Sequence, residues 1–310
     1  MILVLNLNMA VDKTVYLDEF RRGHIHRFPS ALTLPGGKGV NVARVLKTLG
    51  EPCLIMGFIA GHNGSWIEES LLSSGFKTEL IRHYSGESRI CYSVADSKGF
   101  STDFNEDGPA VDSASQEKFL SAFERRLAGA RLISLSGRSV RGLKKGFYRR
   151  LAELARKKSV PFFADLSGAP LREILSQGAT AVKINNYEFE HTFGLNFSAR
   201  ALDLVFKTYE GRGLELIVVT NRHMPFYCRA SCGLFEVRPP SLKNFKTPVG
   251  AGDSFMAALL ARYLKKRPLP EMLSFCAAAA ASDCETLGAG IISPKAVSKY
   301  QKMVRIKEMI

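Results

Sequence analysis

Short apolar runs alternate along the chain with segments whose apolar positions recur every three or four residues. Met1–Leu7, Cys53–Ile59, Arg131–Leu135, Pro161–Asp165, Ala181–Ile184 and Leu214–Val219 are apolar and bounded by turn residues. Several are apolar at consecutive positions, as strands covered on both faces must be. Between them the spacing predicts helices. In Asn41–Leu49, Val42, Val45, Leu46 and Leu49 share one face, and Gly50 stops the turn. Repeated strand–helix alternation predicts an α/β fold with a mostly parallel sheet wrapped by helices.

Two regions break this rhythm. Thr14–Leu34 has no helical period, and Ile90–Phe104 alternates polar and apolar residues around the turn Asp96–Gly99. Paired, they form a small antiparallel sheet projecting from the main body. The last third reads as helical over Asp253–Lys266, Pro270–Glu285 and Pro294–Met309, with the small-residue run Ala277–Ala281 suited to close packing. No internal repeat or low-complexity linker divides the chain, so residues 1–310 are expected to form a single domain.

Composition narrows the class. The 310 residues are 46% hydrophobic and 23% charged, which supports a sizeable core and excludes disorder, collagen and coiled coil. Apolar stretches are interrupted before the ~18–20 residues a membrane span needs. Met1–Val11 is apolar but broken by Asn6 and Asn8, and reads as a buried first strand rather than a signal peptide. Six cysteines form no C-x-x-C pair, consistent with reduced thiols and a cytoplasmic location.

Lys and Arg number 43 against 29 Asp and Glu, a net charge of +14. That field favours anionic partners, among them nucleic acid, a membrane surface and phosphorylated metabolites. Part of the excess is local: Arg125–Lys158 holds twelve basic residues and one acidic residue, Glu153. Within it, Lys144–Lys158 sets Leu151, Leu154 and Ala155 against Arg149, Arg150, Arg156 and Lys157, the pattern of an outer amphipathic helix with a solvated basic face. No zinc-finger spacing or aromatic RNA-binding signature accompanies it, so a nucleic-acid site is the weaker reading.

Two glycine-rich segments carry chemistry. Gly250-Ala251-Gly252-Asp253 leads into the apolar segment Ser254–Leu264. Bare backbone N–H groups and a helix start together form an anion hole. Asp253 on that first turn is placed to take a proton from a hydroxyl while the hole stabilises a transferring phosphoryl group. Gly36-Gly37-Lys38-Gly39-Val40-Asn41 leads into the first helix and offers close backbone approach, a charge and hydrogen bonds. No G-x-x-x-x-G-K-[S/T] occurs, and neither segment completes a dinucleotide fingerprint. His24, His26, His62, His83, His191 and His223 lack metal-ligand spacing, and no G-x-S-x-G surrounds Ser134 or Ser136. Cys228 and Cys232 fall in a strand–turn–strand.

Together with Leu5–Asp12, Ser88-Arg89-Ile90, Thr102–Asn105 with Gly108-Pro109, Lys183–Glu188 and Val249–Asp253, these segments resemble the PfkB/ribokinase family of carbohydrate kinases. The likeness is to its hexose-phosphate branch, 1-phosphofructokinase and tagatose-6-phosphate kinase. The resemblance implies a ribokinase-like three-layer α/β/α fold with a β-lid, here about residues 13–35 and 90–105. It implies sugar contacts at Asp12, Gly37, Lys38 and Asn41, and a sugar-phosphate contact at Arg89. It puts the catalytic base at Asp253, the anion hole at Gly250, Ala251 and Gly252, nucleotide contacts at Lys183 and Thr220, and a water-mediated Mg²⁺ site at Asn185 and Glu188. ATP is the implied donor, and fructose 1-phosphate the first choice of acceptor, with tagatose 6-phosphate and fructose 6-phosphate as alternatives. A sugar-phosphate-binding protein without catalysis is the competing class, and a homodimer through the lid is expected.

The departures are specific. Relatives carry Ser-Gly-Ser-Leu-Pro where this chain has Ser136-Gly137-Arg138-Ser139-Val140, which suggests an added phosphate contact at Arg138. Relatives carry Ser/Thr-x-Gly-x-x-Gly where this chain reads Thr220-Asn221-Arg222-His223-Met224-Pro225. Either Arg222 supplies charge to the nucleotide there, or the loop follows another path. Pro248 and Ile184 are milder changes.

Overall fold

The computed structural model describes residues 1–83 and 85–309. The chain runs β1 (Ile2–Asn6), β2 (Ala10–Leu17), β3 (Leu32–Gly36), α1 (Lys38–Thr48), β4 (Cys53–Ala60), α2 (Gly61–Ser73), β5 (Lys77–His83), β6 (Arg89–Asp96) and β7 (Ser101–Asn105). It continues through α3 (Ser113–Leu127), β8 (Leu132–Ser136), α4 (Phe147–Lys157), β9 (Phe162–Asp165), α5 (Gly168–Gln177), β10 (Ala181–Asn185), α6 (Asn186–Phe193) and α7 (Ala199–Tyr209). The last part holds β11 (Leu216–Thr220), β12 (Phe226–Ala230), β13 (Gly233–Arg238), α8 (Ala251–Leu264), α9 (Leu269–Asp283), α10 (Pro294–Gln301) and β14 (Arg305–Met309).

A ten-stranded sheet has the order β14-β13-β12-β11-β10-β9-β8-β1-β4-β5. From β11 to β5 every neighbouring pair is parallel; β12, β13 and β14 add an antiparallel flank. The consecutive apolar residues of β1 show why the strands read as unbroken runs. Ile2 and Val4 join the core under α1, α8 and α9, beside Val45, Leu260 and Leu273. Leu3 and Leu5 join the opposite core, beside Phe119, Leu151 and Phe206. Alternate side chains thus serve two helical layers, the three-layer arrangement expected.

A separate four-stranded sheet has the order β3-β2-β6-β7, in the place expected for the lid. It is mixed rather than antiparallel: β2 and β6 run parallel, with Ala10 beside Arg89 and Leu17 beside Asp96. The reason is topological: β2 follows β1 and β6 follows β5 within a few residues, and β1 and β5 run the same way in the large sheet.

The termini of three helices differ from their patterns. Helix α1 begins at Lys38 with Gly37 as its N-cap, so Lys38 and Asn41 lie on its first turn rather than before it. Helix α4 begins at Phe147, after left-handed Gly146. The C-terminal helix ends at Gln301, and Arg305–Met309 is a strand pairing with β13. There the unpaired edge of β13 outweighs local helix propensity.

Part of the Arg125–Lys158 charge is matched on the surface. Arg125 and Arg126 reach Glu79, and Arg150 reaches Glu117 at 2.8 Å. Among the described residues no helix is long and apolar enough to cross a membrane.

Candidate active site

Parallel α/β sheets bind ligands beyond the carboxyl ends of their strands. Here Asp165 ends β9, Lys183 and Asn185 sit at the end of β10, and Thr220 ends β11. The small sheet faces them across a cavity of about 1270 Å³. The residues to which the resemblance assigns a site role, and Arg138 and Arg222, line that cavity: Asp12, Gly37, Lys38, Asn41, Arg89, Arg138, Lys183, Asn185, Glu188, Thr220, Arg222 and Gly250–Asp253.

Gly250 caps α8 with a φ of 92°, a left-handed conformation that favours glycine. Next to it, Gly252 leaves room for Lys183: a Cβ there would lie 2.6 Å from the Lys183 ammonium. The Ala251 N–H turns back to the Pro248 carbonyl at 3.3 Å, so of the expected anion hole Ala251 offers no free donor; the start of α8 still carries the Gly252 N–H, a positive dipole end and an adjacent cation. Asp253 stands on this first turn, 5% exposed, and its Oδ2 accepts a hydrogen bond from Asn41 Nδ2 at 2.9 Å. Burial pushes its carboxyl up to about 7; Lys38 pulls it down, Asp165 pushes it up, and the Asn41 bond lowers it.

Asp165 sits under this group with no exposed surface. Its Oδ2 is 3.0 Å from Lys183 Nζ, and its Oδ1 is 3.3 Å from Lys38 Nζ. Lys38 also lies 3.4 Å from Glu188 Oε1. Burial raises the Asp165 carboxyl, but the two ammonium groups outweigh it and hold it below its ordinary value. Burial likewise lowers Lys38, yet Asp165, Glu188 and Asp253 together keep it well above its ordinary value and charged.

At the opposite end, Asp12 on β2 accepts from the Gly37 N–H at 3.2 Å. Its carboxyl is raised by burial, against the lowering effect of that N–H and of Arg89 and Arg44. The Arg89 guanidinium is held by carbonyls, from Nε at 3.3 Å and Nη2 at 3.2 Å to Asn8 and from Nη1 at 3.4 Å to Glu106. Carbonyls orient a guanidinium without neutralising it, so its charge stays available to an anion. Arg138 is 70% exposed, and its Nη1 lies 3.4 Å from Asp107 Oδ1.

Asn185 and Glu188 form a capping box at the start of α6. Asn185 Oδ1 accepts from the Glu188 N–H, and Glu188 Oε2 accepts from the Asn185 N–H, both at 2.9 Å. Among the described residues no three His, Cys, Asp or Glu side chains gather into a metal cage. Mg²⁺ keeps several waters and takes one or two carboxylates plus substrate phosphates. The donor set fits an ion brought on a nucleotide's phosphates and met by Glu188 through water.

The Thr220–Pro225 segment is the turn between β11 and β12, closed by the Met224 N–H to the Asn221 carbonyl at 2.9 Å. Arg222 takes a φ of 50° in it. The left-handed conformation that favours glycine is thus present at this position although glycine is not.

Three contributors escaped sequence reasoning. Asp165 was readable as the one acid closing an apolar run. Arg44, one helical turn after Asn41, donates to Asn41 Oδ1 at 2.9 Å and to the Pro35 carbonyl at 2.6 Å. Asp283 ends α9 fully buried, with Oδ1 accepting from the Ile291 N–H at 2.7 Å and the other oxygen packed at Gly250; nothing local in the sequence announces it.

The family profile described as pfkB family carbohydrate kinase matches residues 5–296. Among solved structures, a Thermotoga maritima protein named as a possible 1-phosphofructokinase superposes with a TM-score of 0.90 at 22% identity, covering 100% of this chain and 99% of its own. Escherichia coli phosphofructokinase-2, in its tetrameric inhibited form, gives a TM-score of 0.86 at 21% identity, covering 97% of this chain and 98% of its own. The same enzyme has been solved with fructose-6-phosphate, at a TM-score of 0.84, 20% identity and the same coverages.

Proposed function

The chain belongs to the pfkB family of carbohydrate kinases, and on that premise we propose that it transfers the terminal phosphoryl group of MgATP to fructose 1-phosphate, giving fructose 1,6-bisphosphate and ADP. One observation carries the reading: a buried carboxylate with a raised pKa, Asp253, stands on a helix start in the same cavity as the carbonyl-held guanidinium of Arg89. A base tuned near neutrality and a free cation for an anionic acceptor are what this transfer needs.

In this reading Asp253 takes the proton of the acceptor hydroxyl as its oxygen attacks the terminal phosphorus. The backbone N–H groups at Gly250 and Gly252 receive the charge that spreads over the transferring oxygens, with that of Ala251 joining them only on release from the Pro248 carbonyl. Lys183, held beside Gly252, faces the donor phosphates, and Thr220 and Arg222 line the nucleotide end. Asp12, Gly37, Lys38 and Asn41 orient the sugar, while Arg89 and Arg138 hold its existing phosphate. Mg²⁺, when bound with the nucleotide, neutralises phosphate charge; Asn185 and Glu188 would hold its water shell.

A coupled assay of ADP formation with MgATP against fructose 1-phosphate, tagatose 6-phosphate and fructose 6-phosphate tests this, with Asp253→Asn as blank. Turnover fastest on fructose 1-phosphate and lost in the variant is the expected result. Turnover on another acceptor reassigns the substrate. A folded protein that binds a sugar phosphate without forming ADP is instead a non-catalytic binding protein.

We further place the protein in the cytoplasm, with all six cysteines free, and assign it a homodimer through the lid. The outer face of that sheet holds an apolar hollow lined by Val15, Leu17, Phe28, Tyr92, Val94 and Phe104.

A further inference from the structure

Asp283 closes α9 with no exposed surface, and it does not line the large cavity. Its Oδ1 accepts from the Ile291 N–H at 2.7 Å, while its Oδ2 has no hydrogen-bond partner among the described residues. Beside it on the first turn of α8, the buried Ser254 Oγ has none either. Asp253 and Arg44 are the charged groups that face it. A carboxyl held there at a cost to stability points to a task.

The task is legible in what the side chain ties down. The Ile291 bond draws the link between α9 and α10 into a tight loop, which Thr286 closes from inside. Its Oγ1 lies 2.9 Å from the Asp283 carbonyl and 3.0 Å from that of Ile291. One side of this loop lies on the start of α8. A Cβ on Gly250 would meet Ala289 Cα and Gly290 N, each at 2.7 Å, and Asp283 Oδ2 as well. The other side lies on α1. A Cβ on Gly290 would be 2.7 Å from the Asn41 carbonyl oxygen and 2.9 Å from Asn41 Cα, and Arg44 donates to the Ala289 carbonyl. Residues 288–291 therefore fill the gap between the two helix starts, with no slack at either glycine. Those helices carry the two partners of one hydrogen bond, Asn41 and Asp253.

We propose that Asp283 is a positioning residue: through the Ile291 N–H it holds residues 288–291 as a spacer between Asn41 and the start of α8, and so sets the hydrogen bond from Asn41 to Asp253. The proposal rests on the kinase reading above, in which Asp253 is the base. Its titration arm is read independently of turnover.

The test combines two readouts on the full chain, wild type and variants, with melting temperatures. Carbon NMR follows the Asp253 carboxyl against pH, its signal identified by its loss in Asp253→Asn. Steady-state assays with MgATP and fructose 1-phosphate give kcat and both KM values. Asp283→Ala and the similarly shaped Asp283→Leu should raise the pH at which Asp253 titrates, as loss of the Asn41 bond does. Removing a neighbouring acid charge alone would lower it. Both should reduce kcat about tenfold or more, with each KM changed less. Asp283→Asn, whose amide oxygen still accepts from Ile291, should match wild type in both readouts. In an Asn41→Ala background, Asp283→Ala should lower kcat less than about twofold further. An Asp253 titration that is unmoved or lowered in Asp283→Ala and Asp283→Leu overturns the proposal, as does a melting temperature that falls while kcat holds. The raised titration in a protein that phosphorylates no sugar keeps the positioning role and removes the kinase reading.

Discussion

Asn41 presents its amide nitrogen to Asp253 because Arg44 occupies its amide oxygen; both hydrogen bonds are 2.9 Å long. The carboxylate therefore meets a donor whose orientation is fixed by a charge one helical turn away. Arg44 is itself anchored to the carbonyls of Pro35 and Ala289, which join the end of β3 to the loop before α10. Arg44→Lys keeps the charge but loses the fork that spans three acceptors. Steady-state kinetics should show kcat reduced about tenfold or more, with KM for the sugar phosphate changed less.

The pH profile follows from the carboxyl of Asp253, raised to about 7 by burial against the pull of Lys38 and Asn41. As the proposed base, Asp253 works only when deprotonated, so kcat/KM should fall as pH drops through about 7. The Asn41 bond favours the charged form. Asn41→Ala should therefore move this acidic limb to higher pH while lowering the plateau.

The same raised value has a stability consequence of opposite sense to a salt bridge. Between pH 4 and 7 the folded carboxyl holds a proton that the unfolded chain releases, so this group's contribution falls as pH rises across that window. Asp253→Asn should be inactive, yet more stable than wild type at pH 8 by on the order of 2–4 kcal/mol. The difference should vanish toward pH 4 in denaturant titrations.

Asp165 behaves in the contrary way. Its carboxyl is held low against burial by Lys183 and Lys38, so its stabilisation is present above the ordinary carboxylate range and is lost as pH falls through the depressed value. Asp165→Ala would leave Lys183 buried without its counter-charge. A loss of about 3–5 kcal/mol is expected at pH 7, read as a lower denaturant midpoint.

Arg138 and Asp107 form an exposed pair at 3.4 Å, and such pairs contribute about 0–1 kcal/mol to stability. Arg138→Ala should thus leave the melting temperature unchanged. If Arg138 touches the acceptor's phosphate, KM for the sugar phosphate rises about three- to tenfold; an unchanged KM removes it from the site.

Phe104, Phe28 and Tyr92 are 54%, 42% and 38% exposed on the outer face of the small sheet. Phe104→Asp should convert a dimer to a monomer in sedimentation, while a monomeric wild type would end the lid-dimer assignment.

Much of this arrangement is legible in the sequence where the signal is local. Apolar runs mark β1, β4 and β8 to β11 within a residue or two because strands covered on both faces need no alternation. The glycine-rich segments mark Asn41 and Asp253 because helix starts and close backbone approaches demand particular residues. Long-range effects are another matter. The Pro294–Met309 pattern reads as one helix, since only the open edge of β13, about 70 residues away in sequence, makes Arg305–Met309 a strand. Asp165 and Arg44 are plain residues until the fold puts a lysine on each side of one and an asparagine beside the other.

The closing strand β14 has a consequence for solubility. Without it the rim of the large sheet would be β13, whose Leu234, Phe235 and Val237 offer an apolar template with unsatisfied backbone groups to any other strand. β14 covers that rim and replaces it with one bearing exposed Arg305 and Lys307. Outward charges of this kind discourage further strand addition. Trimming the chain after Gln301 would leave the residues lining the large cavity in place, yet turn a defended border into a seed for self-association.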